Sequence, residues 1–215
     1  LIGKCRYCNY NISKRYPFIE LITSIIFVLS MDSRGSIEKL SPDLFVVISG
    51  WILVSYLITL SLIDIDNMIL PNSITYSGSL IGLIFIFYYD FFINNTSNKI
   101  LLEHVCAYLL AYFGFLCFSY LVKLLINKPA LGGGDVKLFA MSGVWLGLEG
   151  LEVAITLSFL VSAVFVAFGF VLRLIKRGEY IPFGPFICFS IFLVWYFGPQ
   201  FWFAVLGDMF WWKYL

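Results

Sequence analysis

Leu44-Phe-Val-Val-Ile-Ser-Gly-Trp-Ile-Leu-Val-Ser-Tyr-Leu-Ile-Thr-Leu-Ser-Leu-Ile63 runs directly into Asp64-Ile65-Asp66-Asn67-Met68-Ile69-Leu70-Pro71-Asn72. Twenty residues, 44 to 63, pass without a charge. At about 1.5 Å per residue, a helix of that length covers a hydrocarbon core of about 30 Å. An acidic pair at the mouth of a membrane span is costly, and such pairs usually mark function. A second stretch, Leu131-Gly132-Gly133-Gly134-Asp135-Val136-Lys137, opens another apolar run. Two carboxylates, each at the end of a span, point to aspartyl protease chemistry at the membrane face.

The rest of the chain fits a membrane setting. Of its 215 residues, 61% are hydrophobic and 13% charged, with a mean hydropathy of +0.93. Soluble domains are nearer half apolar and a quarter charged. The composition predicts an all-α, polytopic membrane helix bundle. A net charge of +1 argues against a nucleic-acid binder. The first residue is Leu1, and Gly3-Lys4-Cys5-Arg6-Tyr7-Cys8 is too polar for a signal peptide. The expectation is the interior of a longer polypeptide that begins upstream.

Seven apolar windows follow in order: 17–31, 44–63, 73–89, 104–122, 136–148, 153–172 and 180–206. The first is short for a span. The fifth spans only if its helix begins within the glycine run. The seventh is broken by Pro182, Gly184, Pro185 and Gly198-Pro199. The tail Phe210-Trp211-Trp212-Lys213-Tyr214 reads as an aromatic interface belt.

Seven windows alternate the loops between two sides. One side collects Lys4, Arg6, Lys14, Arg15, Lys123, Lys128, Lys137, Arg173, Lys176 and Arg177, ten of the 14 Lys and Arg. The other holds Arg34, Lys39, Lys99 and Lys213. The basic side is expected to be cytoplasmic. That places Asp64, Asp66 and Asp135 on one cytoplasmic face.

Peptide hydrolysis by two carboxylates needs them close enough to share a proton, one acting as acid and the other as base. Asp64 and Asp66 do not form that pair on a regular helix, because residues two apart point to different sides. One of them must pair with Asp135. Asp64 is favoured because it lies nearer the uncharged span. Asp66 then reads as a solvated loop carboxylate. Gly132 and Gly134 allow close backbone approach to another helix or to a substrate strand. Lys137 reads as a snorkelling cation, or as a charge that tunes the nearby carboxylates. Ile181-Pro182-Phe183-Gly184-Pro185-Phe186 is a helix start or a wall of the cavity, with backbone groups left to be satisfied. Cys5 and Cys8 form one C-x2-C in a segment expected to be cytosolic, where half a tetrahedral zinc site is a better reading than a disulfide. Cys106, Cys117 and Cys188 lie in apolar windows and read as core.

The motifs together resemble the type IV prepilin peptidases, GxGD-type aspartyl proteases of pilus and type II secretion systems. Gly3 to Cys8, with Ile12 to Glu20, resembles the family's second C-x2-C and the entry to the following span. Ile63-Asp64 with Leu70-Pro71-Asn72 resembles the first catalytic stretch, and Gly132 to Leu138 the second. Ile181 to Phe186 resembles the late motif. The resemblance implies Asp64 and Asp135 as catalytic residues, with Gly132, Gly134, Lys137 and Asp66 as substrate or loop support.

It further implies cleavage of a basic leader from prepilins or pseudopilins at the cytoplasmic face of the bacterial inner membrane. N-methylation of the new N-terminus with S-adenosylmethionine follows in the intact protein. No cofactor is implied for the peptidase, and zinc is implied at two C-x2-C pairs. This chain carries only Cys5 and Cys8, and seven windows where eight are expected. Residues 1–16 then read as the remnant of the cysteine-containing region, and 17–215 as the transmembrane peptidase domain. The competing readings are a proton-coupled carrier that uses the same aspartates and a non-catalytic assembly scaffold. A carrier favours charges at the midplane and internal repeats, whereas these carboxylates sit at span ends.

Overall fold

The computed structural model describes residues 3, 7–8, 11, 13–31, 44–94, 98–127, 131–174, 176 and 180–207. Cys5, the loop 32–43 and the aromatic tail 208–215 lie outside the described residues. The protein is an all-α bundle: α1 Arg15–Met31, α2 Leu44–Asn67, α3 Asn72–Tyr88, α4 Lys99–Ile126, α5 Gly133–Val171, α6 Gly184–Phe197 and α7 Pro199–Val205. A π-helical turn, Tyr89–Asn94, prolongs α3. All seven apolar windows fall on helical segments.

Among the described residues, four helices are able by length and composition to cross a membrane: α2, α3 with its π turn, α4 and α5. A fifth span is formed if α6 and α7, bent by 101°, count as one. The difference from seven windows has two sources. Helix α1 has 17 residues, about 26 Å at the standard rise, which is short of a bilayer core. Helix α5 joins two windows over 39 residues, but Gly147 sits inside it at φ 70°. Phe139 and Phe159 stack with ring centroids 6.5 Å apart, whereas twenty residues of straight helix would separate them by about 30 Å. Helix α5 therefore folds back on itself at Gly147, with a short arm, 133–146, and a long arm, 148–171.

That reversal explains the glycine. A Cβ there would meet a carboxylate oxygen of Glu103 at 3.0 Å and Nε2 of His104 at 3.2 Å, on a positive-φ backbone. Gly147→Ala is expected to cost about 1–3 kcal/mol, visible as a lower melting temperature in detergent.

Two of the polar loops expected from sequence are shorter than they looked. Helix α2 continues past Ile63 to Asn67, so Asp64 and Asp66 stand in its last turn. The chain turns only at Met68, at φ 53°, before Pro71. Asp90 is buried at 1% exposure and accepts the Leu101 N–H at 2.9 Å. The π turn is thereby tied to the start of α4.

The core lies where α5 meets α3, α4 and α6, with α2 packed on the other side of α6. Phe139, fully buried, sits against Phe115 at 4.6 Å and Phe183 at 6.2 Å. Leu53, Leu60, Met141, Ile187 and Ile191 are also sealed from solvent. Gly143 lets α5 approach α4 closely, since a Cβ there would lie 2.8 Å from the Ala107 carbonyl. Small residues at helix contacts are the usual device for close packing in membranes. The outer face of α4 is apolar, with Leu110 61% and Phe113 62% exposed. Such a surface suits lipid and not water.

The contacts sort the bundle into two ends. Arg15, Asp64, Asp66, Leu70, Asn72, Gly134, Lys137 and Gly184 meet at one end. At the other, Glu103 accepts the Leu148 N–H, Gln200 donates to Glu149, and a ring nitrogen of His104 lies 2.6 Å from the Val144 carbonyl.

Candidate active site

The first aspartate end is built by α2 and α6. Asp64 is only 5% exposed, and its Oδ2 accepts the backbone N–H of Gly184 at 2.9 Å. Gly184 opens α6, with Pro185 next in the first turn. The first N–H groups of a helix have no partner within it, and a carboxylate is a natural acceptor for them. The late Pro-Gly-Pro motif is thus both a helix start and one wall of the site. A Cβ on Gly184 would stand 2.6 Å from Oδ2 and 2.9 Å from Cγ of Asp64. Position 184 therefore admits no side chain while Asp64 keeps its place.

The second aspartate stands in the first turn of α5, whose N-cap is Gly132. Its carboxylate turns back toward the Gly132 backbone, as an acidic residue three positions after a cap does. Gly132 has little room, because a Cβ there would lie 3.1 Å from Oδ2 of Asp135. Gly134 packs its bare backbone on Leu70, where a Cβ would be 2.9 Å from Leu70 Cβ. Gly133 faces open space. The glycine run thus brings α5 against the loop after α2, and Asp135 comes within reach of the charge of Asp64. Cys188, buried one turn into α6, lies within reach of both carboxylates.

Asp66 does not join this pair. It is half exposed and forms an ion pair with Arg15 at 2.6 Å. Lys137 also turns from the carboxylates and donates to Asn72 Oδ1 at 2.6 Å, with its Nζ 5.6 Å above the Tyr76 ring. It fastens α5 to the start of α3. In the peptidase reading proposed below, Asp66→Asn is accordingly expected to keep most of kcat for leader cleavage. A loss as deep as that of Asp64→Asn would reassign the pair.

Cys8 is exposed with a free thiol, and its sequence partner Cys5 lies outside the described residues. Among the described residues no three His, Cys, Asp or Glu side chains come together as a metal site. The residues described do not make a zinc site, and no chemistry is assigned to one. Cys5→Ser combined with Cys8→Ser is expected to leave leader cleavage largely intact. Collapse of cleavage in a well-folded double variant would show that the cysteine segment supports the peptidase.

Two residues escaped the sequence reading. Gly184 was read only as part of a helix start or cavity wall, yet its N–H is the direct partner of Asp64. Arg15 was counted only as a loop charge, yet it reaches Asp66 across 51 residues of chain. The sequence read Ile181 to Phe186 as a helix start or a cavity wall, but which aspartate it meets is a tertiary fact.

The profile of the type IV leader peptidase family matches residues 51–172, more than half of the chain. The chain belongs to that family. The profile of the bacterial peptidase A24 N-terminal domain matches residues 1–33. Among similar proteins is a prepilin leader peptidase/N-methyltransferase of Neisseria gonorrhoeae, 35% identical over 208 residues, 95% of this chain and 65% of that one. Another of the same description, from Legionella pneumophila, is 33% identical over 93% of this chain and 65% of its own length. A type 4 prepilin-like proteins leader peptide-processing enzyme of Escherichia coli O78:H11 is 32% identical over 89% of this chain and 64% of its own. The chain thus spans about 65% of the length of these relatives. No solved structure matches it. Asp64 and Asp135 both lie inside the matched peptidase region.

Proposed function

We propose that this chain carries a membrane aspartyl endopeptidase that cleaves the basic leader from prepilin-like or pseudopilin-like substrates, with Asp64 and Asp135 as the catalytic pair. The observation that carries the reading is the convergence of the two carboxylates at one end of the bundle, Asp64 held by the Gly184 N–H. Membership of the leader peptidase family supports the reaction class.

In this reading a water lies between the carboxyl groups. The ionised one takes a proton as the water oxygen attacks the scissile carbonyl carbon. The protonated one donates to the carbonyl oxygen, where negative charge develops. When the C–N bond breaks, the leaving nitrogen takes the proton held by the first, and the second takes back its proton from the hydroxyl whose carbonyl re-forms. Asp64 is pre-positioned by the backbone hydrogen bond from Gly184, and Asp135 by its place in the first turn of α5 against Gly132. That pre-positioning lowers the reorganisation needed at reaction.

We further infer that this end of the bundle faces the cytoplasm across the inner membrane. The ten-to-four split of Lys and Arg supports it. Methylation of the new N-terminus by S-adenosylmethionine, and any zinc site, are functions we assign to the intact protein. No step of the cleavage described here depends on them.

The test is direct. Purified protein in vesicles is incubated with a substrate that carries a basic leader and one apolar helix, and the products are read by mass spectrometry. The proposal expects a single cut between leader and helix. Ion flux without cleavage would favour the carrier reading instead.

A further inference from the structure

Helix α1 is fastened at its two ends and stands away from the bundle between them. At the far end Phe27 stacks on Trp51 at 6.2 Å, Trp51 Nε1 donates to the Phe27 carbonyl at 3.3 Å, and Ser30 is buried. At the aspartate end Arg15 pairs with Asp66. Both α1 and α6 pack on α2, and between them lies a groove of about 410 Å³. Each helix presents one stripe to it: Phe18, Ile22 and Ile26 from α1, Ile58 and Ile65 from α2, Phe189 from α6.

The groove leads to the aspartates. Ile65 is the residue after Asp64, and Pro185, also on its wall, follows Gly184. Along α2 the lining runs from Val54 to Ile65, about 16 Å of helix. A helix segment of that length and about 10 Å width occupies more than about 1,200 Å³. The groove is therefore shaped to take one face of a helix lying along it. At its aspartate end Arg15, which lines it, pairs with Asp66, the two side chains 45% and 46% exposed. Solvated pairs of this kind exchange partners readily, so Asp66 is available to an incoming cation. An apolar helix with a positive charge just beyond its end matches both features. The apolar stripes take the helix, and the acidic residue takes the charge beside the carboxylate pair.

We propose that the α1–α2–α6 groove seats the apolar helix of the substrate, with the Arg15–Asp66 pair opening at its mouth to receive a cation of the leader. This rests on the peptidase reading above. The test places a photoreactive benzophenone amino acid at Ile22, at Ile58 or, as a control, at the outward-facing Phe113, in protein that also carries Asp64→Asn. The protein is reconstituted in vesicles with the leader-plus-helix substrate. Substrate adducts are expected from Ile22 and Ile58, well above those from Phe113. In otherwise wild-type protein, Ile58→Trp is expected to raise KM for that substrate by about fivefold, with a much smaller change in kcat. Equal adducts at all three positions, or lipid adducts alone at Ile22 and Ile58, overturn the proposal. Wild-type cleavage in the same vesicles separates the two ideas. Cleavage without groove adducts sinks the groove alone, and absence of cleavage sinks the peptidase reading and the groove with it.

Discussion

Asp64→Asn and Asp135→Asn are each expected to lower leader cleavage by at least about 10³-fold, equivalent to about 4 kcal/mol of transition-state stabilisation, while the protein still inserts. The amide has nearly the shape of the carboxyl group but neither takes up nor releases a proton in the required range. At position 64 an amide oxygen still accepts the Gly184 N–H, so the start of α6 keeps its partner. At position 135 the side chain remains in the first turn of α5. The loss therefore falls on chemistry and not on folding. Initial rates on a leader-plus-helix substrate, with insertion checked by membrane fractionation, measure it. Near-normal cleavage by either variant would remove that residue from the pair.

Gly184→Ala is expected to reduce cleavage by about 100-fold, although residue 184 contributes no side chain. The added Cβ would stand 2.6 Å from Oδ2 of Asp64 and 2.9 Å from its Cγ, well inside contact distance. The carboxylate has to rotate away, losing the N–H that holds it. A displacement of about 1 Å in a catalytic group costs about 10²-fold. Gly133→Ala is the matched control, since a Cβ there meets nothing within 4 Å and alanine suits a helix better than glycine. Equal activity of the two variants would show that the Gly184 contact does not position Asp64.

Much of this was legible in the chain itself. Uncharged runs such as Leu44 to Ile63 announce helices because backbone polar groups in lipid must be satisfied internally. The alternation of seven windows put Asp64 and Asp135 at one end, and the contacts around Leu70, Gly134 and Gly184 have them there. Asp66 was set aside because it lies farther from the uncharged span than Asp64, and its exposed pairing with Arg15 gives it another partner. Other features depended on packing. The reversal at Gly147 falls close to the break expected between the windows 136–148 and 153–172, but the glycine that makes it looked like any other. The end of α2 was placed too early, because charge suggested a loop while the backbone stayed helical through Asn67. The burial of Asp90 follows from its bond to Leu101, eleven residues away, which no composition window detects.

The central claim is spatial before it is chemical: the end of α2 and the first turn of α5 place residues 64 and 135 in one site. The most direct measurement replaces both aspartates with cysteine in a protein whose five native cysteines have been substituted, and treats the vesicles with a short thiol-bridging reagent. The account predicts an intramolecular bridge between positions 64 and 135, and none between Asp64→Cys and Glu149→Cys, because residue 149 lies at the opposite end. A bridge from 64 to 149 with none from 64 to 135 would contradict it.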